Sequence, residues 1–297
     1  MKKILFLLGF LGTLAIASAQ ESVYPSPAQS KPIIITNATV HVGNGQVLEN
    51  ASILIRDGKI AAVGTNITAP AGAETVNAQG KQVYPGLILP ASNLGLVDVN
   101  AVRATTDVRE IGDLNPNIRS IIAYNTDSRV INTLRSNGIL LANIVPEGGT
   151  ISGSSSVVQL DAWNWEDAAY KMDAGIHLNM PLLMARPRGF GFGGGGGPQQ
   201  PPSDPVKEGL EKIDEIKSFL QQAKAYAAEA SHNNQTNLKF EAVKGLFDKS
   251  KKLYVHANTV KQMLVALDFV KDLGLDMVIV GGSDSWQIAD LLKQNNV

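Results

Sequence analysis

Two rhythms of apolar and polar residues divide the chain. In residues 33 to 85 the apolar positions come in short β-branched runs. "IIITNATVHV" ends near the turn pair Asn44-Gly45, and "ASILIRDGKIAAVG" carries Asp57-Gly58 in the middle of a hairpin pattern. An Asp-Gly pair suits the right-handed twist of two joined strands. "AETVNAQGKQVYPG" adds another short pair, so this region predicts a small antiparallel β module. From residue 86 the pattern alternates between strands and amphipathic helices. Val130, Ile131 and Leu134 share a helical spacing before Gly138, and "ILLANIV" follows as a buried strand. Further on, "KKLYVHAN" leads into a helix with Val260, Met263, Leu264, Leu267 and Val270 on one face and Gly274 at its end. "LDMVIVGG" and "SWQIADLLKQNN" complete another strand and helix, with Asp284 as the expected helix cap. Short strands separated by such helices predict a parallel sheet covered by helices.

Two segments stand outside these rhythms. Residues 186–205, "RPRGFGFGGGGGPQQPPSDP", have too few apolar side chains to order a core and read as a flexible insertion. Gly191, Gly193 and Gly196 satisfy GxGxxG there, but no strand leads in and no helix opens at the last glycine, so phosphate binding is not expected. Asp204 and Pro205 then start a long polar helix as N-cap and first helical residue, with Leu210, Ile213, Ile216 and Leu220 as its buried stripe. The first residues, "MKKILFLLGFLGTLAIASAQ", place two lysines before an apolar run and Ala17-Ser18-Ala19. That is the layout of a secretory signal peptide at 1–19. A spacer at 20–32 follows, and a periplasmic or secreted location is expected, with no stable membrane anchor after cleavage.

Composition narrows the chemistry. With 44% hydrophobic and 18% charged residues this is an ordinary globular chain. A net charge of −1 gives no reason to expect nucleic acid as a partner. There are no cysteines, which excludes disulfides and thiolate metal sites. Only four histidines exist, His41, His177, His232 and His256, which limits any metal centre.

Three stretches together resemble the metal-dependent amidohydrolase superfamily, nearest its imidazolonepropionase-like branch. "ITNATVHVGNGQVLENASILIRDGKIAAVG" resembles its N-terminal β-sandwich. "GKQVYPGLI" resembles the entry to its first barrel strand, and "LYVHANTVKQMLVALDFVKDLGLDMVIVGG" its fifth and sixth strands. The resemblance implies an α/β fold, a (β/α)8 TIM-like barrel over 86–297 interrupted by the 186–205 insertion, with an antiparallel β-sandwich module at 33–85. It also implies a site at the C-terminal ends of the strands. Without the sandwich and the insertion, fewer than the roughly 250 residues usual for such a barrel remain. The barrel is therefore expected to be incomplete and the chain to be part of a longer one.

The metal motif is where the chain departs from the family. An Asp-x-His-x-His pattern is implied after Pro-Gly-Leu-Ile, and Leu89, Ala91 and Asn93 stand there. His256 falls on a ligand position of the fifth strand, whereas Gly281 occupies that of the sixth. A catalytic zinc generally needs three protein ligands, so no cofactor is expected from this chain alone. Zinc or another divalent metal would need residues beyond Val297 or a partner chain.

Other candidates are softer. Gly148, Gly149 and Gly153 offer backbone N–H groups to an anion, and Ser154 and Asn93 are further substrate or anion contacts. Ser154, Ser155 and Ser156 lack a GxSxG elbow. Glu147, Asp161, Asp98 and Asp127 are candidate general bases that spacing does not separate. His177 reads equally as a loop residue or a site residue, while His41 and His232 belong to no cluster. Trp163 and Trp165 are expected to pack in a core or interface. The first expectation is an exported amidohydrolase-like protein with a lost or altered metal site, acting as a pseudo-enzyme or as partner subunit of an active relative in a homo- or hetero-oligomer, with a small amide-type ligand. The second is an active hydrolase of non-peptide C–N bonds with an atypical site. The third is an extracellular binding module using the Gly-rich insertion.

Overall fold

The computed structural model describes residues 25–184, 204–229 and 236–297. The signal-peptide region, His232 and nearly all of the Gly-rich insertion lie outside the described residues. The chain divides into two compact units, one running to Pro85 together with Asp161–Trp163 and the other holding the remainder.

The first unit is a five-stranded sheet. β1 (Ile33–His41), β2 (Val47–Arg56) and β3 (Lys59–Gly64) form the expected antiparallel meander. Asp57 and Gly58 between β2 and β3 both take positive φ, 52° and 69°, which is the tight turn their identities favour. The remaining strands depart from expectation. β4 (Glu74–Asn77) and β5 (Gln82–Val83) pair in parallel with β1, so the sheet is mixed. The chain leaves β3 at one edge and crosses to the other before β4, and that crossing fixes the direction. Ala38, Val40, Ala51, Ile53 and Ala78 make its small core.

The second unit carries a six-stranded sheet in chain order: β6 (Leu87–Ser92), β7 (Ile139–Ile144), β8 (Ile151–Gln159), β9 (Ala169–Asn179), β10 (Lys252–Ala257) and β11 (Met277–Gly281). It is the expected TIM-like barrel in incomplete form, with β6 and β11 as its two edges. Leu87 and Ile88 on the β6 edge are exposed. The wholly parallel expectation fails at one strand, because β8 runs antiparallel to both β7 and β9. The connection 145–150 is too short for the crossover of a dozen or more residues that parallel neighbours need. β6 with β7, and β9 with β10 and β11, are parallel.

Helices cover one face. α1 (Arg129–Ser136) ends before Gly138, which takes φ 84° as a left-handed stop. α2 (Trp165–Ala168) is a single turn after β8. α3 (Pro205–Ala228) starts as predicted, Asp204 accepting a hydrogen bond from the Val206 N–H at 3.0 Å. Ile213, Ile216 and Leu220 are buried, whereas Leu210 turns half outward. α4 (Leu238–Phe247) and α5 (Val260–Leu273) complete the layer, α5 opening with a reciprocal Thr259–Gln262 capping box and closing at Gly274. Alternation along the strands sends Ile176, Leu178, Leu253, Val255 and Ala257 into this helical layer. α6 (Ala289–Gln294) follows a short 3-10 turn at Ser285–Ile288, which Asp284 precedes without a side-chain cap. Trp163, expected to pack in a core or interface, is exposed. Among the described residues no helix is long and apolar enough to cross a membrane.

Candidate functional site

Residues one step out of phase with the helical core point to the other face of the sheet. On β9 and β10 these include His177, Asn179, Tyr254 and His256. Parallel β6, β7, β9 and β10 bring their carboxyl ends to one side, where a cavity of about 580 Å³ opens. Ala91, Ser92 and Asn93 line it from the end of β6, Glu147 and Gly148 from the loop after β7, and Asn179 and His256 from β9 and β10.

The end of β6 is shaped by a bulge. Leu89 pairs with Ala142 but Ser92 with Ile144, so an extra residue sits on the β6 side. Pro90 lies in that bulge on an edge strand, where its missing N–H costs no ladder bond. Its carbonyl is taken up by the Nδ2 of buried Asn143 at 3.1 Å. Beyond the bulge, Asn93 Nδ2 donates to Glu147 Oε1 at 3.3 Å. Arg109 stands 4.0 Å from the other Glu147 oxygen. Both side chains of that pair are solvent-accessible, so it is a weak, screened contact. Of the four carboxylates named from sequence, Glu147 is the one lining the cavity. Asp98 accepts from Asn125 and Asp127 follows the same asparagine, while Asp161 groups with the first unit.

The glycine loop is built for close packing. A Cβ on Gly149 would meet the carbonyl oxygens of Asp113 and Gly112 at 2.8 and 2.9 Å, and Gly149 has φ 64°. Thr150 N–H donates to the Asp113 backbone carbonyl at 2.7 Å and to its carboxylate at 3.0 Å, so that donor is spent within the chain itself. Asn179 Nδ2 donates to Gly149 O and to Ser152 Oγ, both at 2.8 Å, tying the loop to β9. Gly148 therefore reaches the cavity, while Gly149 acts behind it. Ser154 lies elsewhere: its hydroxyl donates to Ile118 O and to Asp173 Oδ1, each at 3.1 Å.

His256 does not stand alone. Its Nε2 is 2.9 Å from Nδ1 of His177, a fully buried residue that sequence reading left between loop and site. His177 stacks on Tyr254 with ring centroids 4.8 Å apart and planes within 7°. Gly175 permits this, because a Cβ there would run into the Tyr254 ring. Burial, and secondarily the neighbouring His256, pushes the His177 pKa down from 6.5 to about 3. Burial also lowers that of His256, against an opposing pull from Glu147. The pairing was not visible in sequence because the two residues are far apart along the chain. Strand parity is the signal that holds them together: Tyr254 pairs with His177 and His256 with Asn179 in the β9–β10 register.

No protein-family model and no curated protein sequence matches this chain. Solved structures do. An amidohydrolase from Thermotoga maritima superposes with a TM-score of 0.73 at 21% identity, over 89% of this chain and 68% of the other. The chain shares the fold of that protein. A prolidase complexed with N-methylphosphonate-L-proline is matched over 89% of this chain and 64% of its own, at 16% identity and TM-score 0.43. An N-acyl-D-glutamate deacylase from Bordetella bronchiseptica, complexed with zinc and a phosphonate inhibitor, is matched at 13% identity and TM-score 0.34, over 90% and 56%. Those two scores are too low to add to the fold assignment. The chain spans about two thirds of the first of these proteins and less of the others.

The resemblance read in the sequence implies a metal at these strand ends, and the residues there do not fit one. Ala91 reaches the cavity with a methyl group, and Asn93 offers an amide oxygen, a poor replacement for imidazole. Gly281 has φ 93°, and Asn258 Oδ1 fills the place a Cβ would take, so position 281 has no room for an imidazole. The Nε2 of His256 is turned to His177. Among the described residues no group of three His, Asp or Glu side chains converges on a point.

Proposed function

We propose that this is an exported amidohydrolase-like protein whose site binds a small amide-type ligand without a catalytic metal, as a pseudo-enzyme or as the partner subunit of an active relative. The observation that carries this reading is the donor–acceptor pattern of the cavity. Glu147 presents a carboxylate acceptor, while Asn93 and Arg109 carry N–H donors at the same opening and His256 lines it. An amide offers the complement, a carbonyl acceptor beside an N–H donor. The N-terminal Lys-Lys, apolar run and Ala-Ser-Ala support export to a periplasm or the exterior.

The test uses the purified full chain with 2-pyrrolidinone and N-acetylglycine as probes, followed by NMR titration, together with metal analysis. Saturable binding of a probe that weakens on Asn93→Ala or Glu147→Ala, with no stoichiometric metal and no hydrolysis, is the expected result. Tightly bound stoichiometric zinc would overturn the altered-site reading, and failure of both probes to bind would overturn the amide-ligand reading. Glu147 favours one second reading, a C–N hydrolase in which this carboxylate is the general base for a water molecule. Probe turnover abolished by Glu147→Gln would establish it in place of the first.

A further inference from the structure

The contact between His177 and His256 has only one economical arrangement of protons. At 2.9 Å one ring nitrogen donates and the other accepts. His177 is fully enclosed beside Tyr254 and His256 with no carboxylate bonded to either ring nitrogen, so it is a neutral ring with a single proton. If His256 donated from Nε2, His177 would accept at Nδ1 and hold its own proton on Nε2. That Nε2 is buried and has no hydrogen-bond partner among the described residues. An orphaned buried N–H is rarer and costlier than an orphaned lone pair. The proton of His177 therefore belongs on Nδ1, where it has an acceptor. His256 Nε2 then accepts, and the proton of neutral His256 lies on Nδ1. Tyr254 and Gly175 hold the His177 ring in the plane that keeps this contact.

We propose that His177 is a positioning residue that fixes His256 as an Nδ1–H donor, so that the cavity recognises an oxygen acceptor, the carbonyl of the amide ligand, through this N–H. The inference rests on the amide-ligand reading for its ligand but not for its proton assignment. At a strand end where this fold can hold a metal by imidazole lone pairs, the chain instead presents a proton. Glu147, across the same cavity, is left for the N–H of the amide. His256 thereby sets polarity: a ligand with a donor in place of the carbonyl would meet two donors, His256 and Asn93, and be rejected.

The test is long-range 1H–15N NMR of the histidine rings in the unliganded full chain, with His177→Asn and His177→Leu compared. In the wild type His256 shows a protonated Nδ1 and a bare Nε2. Asn retains an amide donor near the position of the His177 Nδ1 and preserves that pattern. Leu removes it, gives a mixture of His256 tautomers, and weakens 2-pyrrolidinone about three- to tenfold, the worth of a neutral hydrogen bond, with the amide backbone spectrum otherwise folded. A wild-type His256 protonated on Nε2 would overturn the proposal whether or not any probe binds. An unchanged tautomer in His177→Leu would overturn the positioning role. Absence of probe binding with the expected tautomer in place would count against the amide-ligand reading alone, leaving the proton assignment standing.

Discussion

Protonation of His177 gives the sharpest quantitative consequence of the fold. Its side chain is fully buried against Tyr254 and His256, and its pKa falls from 6.5 to about 3. Above pH 6.5 neither the folded nor the unfolded chain carries the proton, and the residue adds no pH dependence. As the pH drops below 6.5 the unfolded chain takes up a proton that the folded one refuses, so stability falls with pH until about 3, where both forms are protonated. Each pH unit in that interval costs about 1.4 kcal/mol, and the full shift about 5 kcal/mol. Urea unfolding at pH 7.5 and 4.5 captures two units, a loss of about 3 kcal/mol from this residue. Carboxylates and His256 also titrate, so the measurement is a comparison with His177→Asn, which stays neutral at both values. The wild type should lose about 3 kcal/mol more than the variant between the two pH values. Equal losses would show that His177 accepts a proton in the folded protein at no cost, and would refute the buried pair.

Other substitutions probe the frame around the site. Gly281→His supplies the residue type that the resemblance implies on the sixth strand, yet φ 93° and Asn258 leave no place for it. It should destabilise by about 1–3 kcal/mol in urea and recruit no zinc by metal analysis. Gly175→Ala drives a methyl group into Tyr254 and the Lys252 carbonyl, costing about 1–3 kcal/mol and shifting the His177 ring resonances. Phe269→Ala in α5 empties a fully enclosed position between helices and sheet and should lower unfolding free energy by about 3–5 kcal/mol, while probe binding at the opposite face is retained.

How much of this was readable beforehand varies by element. The Asp57-Gly58 turn, the Asp204-Pro205 helix start and the Gly138 and Gly274 stops were written in local residues, because each is decided by backbone chemistry within a few positions. The direction of β8 was not read correctly. Its apolar and small residues are equally compatible with either direction, and the decisive fact was the short connection before it. Leu210 was expected inside because periodicity marks a face without saying how wide the buried stripe is. Ser154 was grouped with the site by its place beside a glycine loop, but strand parity and the Asp173 carboxylate take it elsewhere.

By itself the sequence determined which groups were available: no thiols, few histidines, and Leu89, Ala91, Asn93 and Gly281 where the resemblance implies metal ligands. That is a matter of composition and spacing, and no folding can restore an absent imidazole. Only the tertiary structure decided which remaining groups meet. Glu147 was one of four equivalent carboxylates until the strand ends converged, and His177 was ambiguous until β9 and β10 lay side by side. Parallel pairing brings residues far apart in sequence within hydrogen-bond reach, and the register that does so is set by the whole buried face of each strand.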